Sequence, residues 1–395
     1  MKKIDKIPFK EATLQWLIYG NLGAYSLLAQ FFDLRGFSPS QIGILMAVMP
    51  LVSLLSNPTW FRAGAAKKDR RVFALLALVT SITIWGVYLS SSFVMAVSAM
   101  VLSTFFLASV VPLGDAIVMS SMKSKGASFN FVRVWGTLGF TLVSLILGIL
   151  IGFGLFVIFL AITILMLFSV LMSGRISSEA GNRGAGSVQK AQPGSIFTFV
   201  FMLVGLLCGS TVIGFNNSFF PLYTRTLDLG IHAAGTGFAL MAFSEIPFLL
   251  LAGTLIRRMG NLRILMLGIF LSGMRMSLMS YMSSELSVML VQLLHGFNYI
   301  ASYYAVFDYI HTRLPARLLP GAQAVFWMVN SGLGFFIGPV VGGFLIDRIG
   351  VMQTYRYSGI LAMVGALIVV ISVSDEASVC ESEEGVFNIG NVVRK

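Results

Sequence analysis

The sequence predicts an all-α membrane protein of twelve transmembrane helices arranged as two six-helix bundles. Three observations carry this: twelve apolar stretches, a one-sided distribution of positive charge, and one long polar interruption mid-chain. Of the 395 residues, 57% are hydrophobic and 11% charged, whereas soluble domains carry about 25% charged residues. The mean hydropathy of +0.88 agrees.

A helix needs roughly 20 apolar residues to cross about 30 Å of hydrocarbon. Stretches 12–33, 40–61, 72–91, 93–121, 131–152 and 154–173 fit this in the first half; 195–220, 234–256, 262–283, 286–310, 318–346 and 350–373 fit it in the second. The connections after odd-numbered stretches hold only Arg35, Arg225, Arg348 and Arg356. The even-numbered connections and the two ends hold 22 of the 27 Lys and Arg residues, with Arg275 left inside a stretch. Cytoplasmic loops carry such an excess, so both termini are predicted to be cytoplasmic, in a cell (inner) membrane. The net charge of +11 is spread over these connections and forms no nucleic-acid patch.

Residues 1–173 form the predicted N-terminal bundle and 195–373 the C-terminal one. Between them, 174–194 is rich in Gly, Ser and Gln, the composition of a flexible linker. The tail 374–395, with Asp375, Glu376, Glu381, Glu383 and Glu384, reads as an acidic, disordered end. Six-span halves related as parallel repeats, with a site between them near the midplane, are a transporter design. Gly334, Gly338 and Gly342 share one helix face, which suits close packing or a bending point. Cys208 and Cys380 form no disulfide framework or metal spacing, and the three histidines are separate. A phosphate-cradling Gly-rich loop is absent, as is a nucleophile with its base, so neither ATP hydrolysis nor an enzyme is predicted. No cofactor or metal is expected, and the chain is expected to be monomeric.

A charge at mid-bilayer costs about 2.5–3.5 kcal/mol on insertion scales, so each one present has a partner, a watery cavity or a task. By helical rise, Glu245 lies about 16 Å deep, Arg275 about 20 Å, and His295 about 15 Å from the opposite face. An acid, a base and an imidazole thus sit at similar depth on three consecutive spans. Two readings are open: a static paired cluster, or a site for proton coupling or substrate. Asp115 and Arg133 make a second set nearer the cytoplasm, as a salt bridge or as a substrate anchor. Asp308 is about 20 Å from His295 along one helix and reads as an interfacial anchor. Asn298 and Tyr299, with Tyr303 and Tyr304, share the His295 span and suit the lining of a polar cavity or ordinary packing. Trp135 is a weaker candidate beside Arg133.

The segments Pro112-Leu-Gly-Asp115 and Phe131-Val-Arg133-Val-Trp135-Gly136-Thr-Leu-Gly139 resemble the major facilitator superfamily. Ser244-Glu245-Ile-Pro247, Leu255-Ile-Arg257-Arg-Met-Gly260, Arg275 and Leu294-His295-Gly296 extend the resemblance through the second half. The similar branch contains phenylpropionate permeases and is related to lactose permease and nucleoside:proton symporters. The resemblance implies the major facilitator fold and proton-coupled uptake of a small molecule by alternating access. It implies proton coupling by Glu245, Arg275 and His295, and substrate binding by Asp115 and Arg133. The connection Trp60–Arg71 departs from the superfamily's gate pattern: its Gly is displaced, and Ala65 stands where an acid is usual unless Asp69 takes that role. The rival within transport is a proton-antiport exporter of drugs or metabolites; the remote rival is a membrane-embedded enzyme or sensor.

Overall fold

The computed structural model describes residues 8–67, 69–127, 129–176 and 195–392, and all regular structure among them is helical. Side chains 65–67, 130, 252, 299–302 and those beyond 371 lie outside the described ones, as does most of the predicted linker. The first half contains α1 (Phe9–Ser26), α2 (Leu28–Leu34), α3 (Pro39–Lys67), α4 (Asp69–Tyr88), α5 (Phe93–Leu107), α6 (Val110–Ser124), α7 (Phe129–Leu150) and α8 (Phe156–Arg175). The second contains α9 (Ile196–Thr226), α10 (Ala233–Met259), α11 (Asn261–Met279), α12 (Glu285–Gln292), α13 (His295–Arg313), α14 (Leu319–Trp327), α15 (Gly334–Ile349) and α16 (Val351–Val392). A π-helical turn, Met328–Leu333, joins α14 to α15.

Ten helical segments among the described residues are long and apolar enough to cross a membrane. Twelve were predicted from the sequence. The other two, α1–α2 and α12–α13, have breaks at Leu27 and Leu293–Leu294, although a break alone does not disqualify a span, since α5–α6 is among the ten. They also carry Glu11, Gln15 and Asn21, or His295, Asn298 and Asp308, which lower their hydropathy. Within the first half, α1 packs on α6, α7 and α8, and α4 on α5 and α8. Within the second, α9 packs on α15 and α16, and α13 on α10 and α11.

Backbone breaks in an apolar medium need partners for the groups they free. The break between α5 and α6 shows how this is met. The Phe105 carbonyl accepts from Ser56 Oγ at 2.6 Å and from Trp60 Nε1 at 3.0 Å, both on α3. Ser109, at the break itself, donates to Asn57 Oδ1 at 2.9 Å. The stripe Gly334, Gly338, Gly342 lies on α9, against Ser210, Thr211 and Phe215. Its role is therefore close packing, while the π-helical turn beside it supplies the irregularity that a bending point needs.

The halves meet through α3–α15, α7–α10 and α2–α9. The polar contacts between them gather at the face that holds the odd-numbered connections. Arg225 Nε and Nη2 donate to Asp33 Oδ2 and Oδ1 at 2.5 and 2.6 Å. Gln30 Nε2 donates to the Ile231 carbonyl at 2.8 Å, and the Ser40 amide to Asp347 Oδ2 at 3.1 Å. Gly148 of α7 sits against Gly235 of α10, where a Cβ on Gly148 would stand 2.9 Å from the Gly235 Cα. Helices can approach this closely only through small residues. With no proline after Pro339, α16 runs on as helix to Val392 through the tail whose composition reads as disordered.

Candidate functional site

The N-terminal cluster is built by α1, α6 and α7. Asp115 Oδ1 accepts from Gln15 Nε2 at 2.7 Å, and Oδ2 from the Tyr19 hydroxyl at 2.8 Å. The Arg133 guanidinium lies over the Tyr19 ring, 3.7 Å from its centroid. It acts on Asp115 through its charge, and its Nη1 reaches Thr137 Oγ1 at 3.5 Å. One tyrosine thus touches both ions: its hydroxyl serves the acid and its face serves the base. Gly136 makes this arrangement possible, because a Cβ there would stand 2.7 Å from Tyr19 Cδ2. Three residues further along α7, Gly139 lies directly on the Trp16 backbone. The Arg133–Gly136–Gly139 spacing therefore seats α1 on α7. Asp115 retains some exposure at the residue level.

The C-terminal cluster is built by α10, α11, α12 and α13. His295 Nε2 stands 3.2 Å from Glu245 Oε1; the imidazole is buried and the carboxylate 14% exposed. Arg275 is fully buried and donates from Nη1 to Gln292 Oε1 at 2.7 Å. It also lies within electrostatic reach of His295 and of Tyr355 on α16. Gln292 is the last residue of α12 and His295 the first of α13, so the helix break separates the two partners. Beside the Glu245–His295 pair, Gly296 brings the α13 backbone against Ser244 of α10.

An aromatic wall connects the halves. Tyr303 stacks on Phe307 at 5.9 Å and meets Tyr304, Phe326 and Trp327 at 5.3–5.6 Å between ring centroids. Tyr304 lies within electrostatic reach of Arg133, which brings this wall to the N-terminal cluster.

The sequence matches the MFS_1 like family over residues 12–357. The chain belongs to that family. This MFS_1 like protein is 27% identical over 380 residues to the maltose permease of Geobacillus stearothermophilus, covering 93% of this chain and 95% of the relative. It is 25% identical over 354 residues to a probable 3-phenylpropionic acid transporter of Escherichia coli (strain K12), covering 85% and 92% of the two chains. Among solved structures, nucleoside transporter NupG superposes with a TM-score of 0.77 at 16% identity, covering 92% of this chain and 98% of that one. The MFS_1 like protein is accordingly an integral membrane transporter and not an enzyme.

Measured against the sequence reading, the structure joins Asp115 to Arg133 through Tyr19 and Glu245 directly to His295. It gives Arg275 a neutral hydrogen-bond partner, Gln292, and keeps it within electrostatic reach of His295. Trp135 lies about 200° round α7 from Arg133 and is half-buried against the hydrophobic core. Asn298 is buried and lines a small cavity with Gly209, Ser210, Ile269 and Asn330, inside the C-terminal half. The Tyr299 side chain lies outside the described residues. Asp308 accepts from Asn261 Nδ2 at 3.1 Å at the start of α11, an anchoring contact. In the unusual connection after α3, the Asp69 carboxylate lies against Gly64, and Arg70 Nη1 donates to the Ile176 carbonyl at 2.6 Å. Sequence reasoning passed over Gln15, Tyr19 and Gln292; neutral polar residues inside apolar stretches were the available signal.

Proposed function

We propose that this protein takes up a small metabolite by proton-coupled symport with alternating access. In this reading twelve segments cross the bilayer, α1–α2 and α12–α13 included, with both termini cytoplasmic. The outer face is then the one closed by Asp33–Arg225, Gln30–Ile231 and Ser40–Asp347. The observation that carries the reading is the pair of acid–base clusters, one per half, beneath a single sealed face.

Asp115, Arg133 and Tyr19 form the substrate platform, with the aromatic wall of α13 and α14 opposite. A ligand with hydroxyl groups or a ring would meet acceptors and donors on one side and ring faces on the other. Glu245 carries the proton. A carboxylate near mid-bilayer is tolerated when protonated and needs a partner when charged, and here it can pass its proton to His295 at 3.2 Å. Arg275 supplies the positive charge that holds the cluster's balance.

Purified protein in proteoliposomes, assayed with maltose, 3-phenylpropionate and a nucleoside, tests this. Inward accumulation that requires an inwardly directed proton gradient is the expected result. Accumulation driven in the opposite sense would assign the chain to antiport, and uptake indifferent to the gradient would remove proton coupling.

A further inference from the structure

Arg275 and Gln292 are both fully buried, and the bond between them uses only Nη1 of the guanidinium. Arg275 Nε and Nη2, Gln292 Nε2 and Ser272 Oγ, one turn earlier on α11, have no hydrogen-bond partner among the described residues. Leaving such groups unpaired in an apolar interior is costly. Nε and Nη2 form the side of a guanidinium that grips a carboxylate with two parallel bonds. The same molecule shows that use elsewhere: Arg225 holds Asp33 with its Nε and Nη2. On Arg275 that edge is open, while Glu245 is engaged by His295.

We infer that Gln292 is a positioning residue for proton coupling: it pins Arg275 through Nη1 and keeps the Nε–Nη2 edge available for the Glu245 carboxylate when that leaves His295. This rests on the coupling role proposed for Glu245. Gln292 ends α12 and His295 begins α13, so the side chains that engage Arg275 and Glu245 sit on opposite sides of the break at Leu293–Leu294. The neutral amide is what suits the role. A carboxylate at 292 would bind Arg275 permanently, and an apolar residue would free it. The other groups near Arg275 are Tyr355 of α16 and, beside it, Tyr223 of α9, whose hydroxyl donates to the Met279 carbonyl at 2.7 Å. Neither supplies a carboxylate.

The test uses full-length, substrate-free protein and the infrared carboxyl stretch that Glu245→Gln removes, followed as pH is varied. Gln292→Leu releases Arg275 toward Glu245, and Gln292→Glu draws it away. The two variants are expected to move the midpoint of that band in opposite directions, each by about one pH unit or more, the size of an arginine's effect on a neighbouring acid. Thermal unfolding in detergent confirms that each variant is folded. Midpoints matching wild type in both variants, or moving the same way in both, overturn the inference. A wild-type protein that accumulates no substrate under a proton gradient would defeat the functional reading and leave this readout intact.

Discussion

In the N-terminal half both oxygens of Asp115 are taken and Arg133 rests on the face of Tyr19. In the C-terminal half Arg275 makes one bond, to a neutral amide, and two of its nitrogens have no partner among the described residues. Each half thus brings an acid and a base together: in one the carboxylate has both oxygens bonded, with Gln15 Oε1 left without a partner among the described residues, and in the other two guanidinium nitrogens are left so. A carboxylate with both oxygens bonded presents a fixed surface, as a binding platform must. A cluster with bonds in reserve can adopt a second arrangement at small cost, as a coupling switch must. The helix breaks follow the same division. The α5–α6 break is tied down by Ser56 and Trp60, whereas the α12–α13 break lies between the two side chains that engage Arg275 and Glu245.

Breaking the platform should weaken binding without touching coupling. Asp115→Asn removes the charge opposite Arg133 and is expected to lower substrate affinity about 10- to 100-fold, as loss of a charged hydrogen bond costs roughly 1.5–3 kcal/mol. Equilibrium binding to detergent-solubilised protein measures it. Tyr19→Phe keeps the ring beneath Arg133 and loses only the bond to Asp115, so about a fivefold loss is expected, or about 1 kcal/mol. If Tyr19→Phe and Asp115→Asn weaken binding equally, the tyrosine's hydroxyl, not the acid's charge, dominates the platform. Asp33→Asn loosens the contact that seals one face; with Arg225 58% exposed, the shift in conformational populations is expected to be only about threefold. Cysteine-labelling rates at the N-terminal cluster from that face would report it. Trp135→Leu, at a half-buried position about 200° round α7 from Arg133, should change substrate affinity by less than about twofold.

The charged members of both clusters were legible in the sequence, and the unread part has a common cause. Charges in apolar stretches cost so much that Asp115, Arg133, Glu245 and Arg275 stand out by type alone. Apolar stretch length placed the helices because each span must satisfy its own backbone. Tyr19, Gln15 and Gln292 gave no such signal, since a neutral side chain fits a span at modest cost and its importance depends on what lies across the interface. For Trp135, proximity to Arg133 in sequence is not proximity on a helix: two residues turn its side chain about 200° away. The breaks at Leu27 and Leu293–Leu294 have no proline or glycine to announce them.

The contrast between platform and switch is tested most directly by comparing Glu245→Gln with Asp115→Asn in proteoliposomes, measuring both gradient-driven accumulation and substrate exchange at equilibrium. Exchange needs no net proton movement. The account predicts that Glu245→Gln abolishes accumulation and retains exchange, while Asp115→Asn impairs both in proportion to its loss of affinity. Accumulation by Glu245→Gln under a proton gradient, with exchange but no accumulation in Asp115→Asn, would contradict it and move the proton carrier to the N-terminal half.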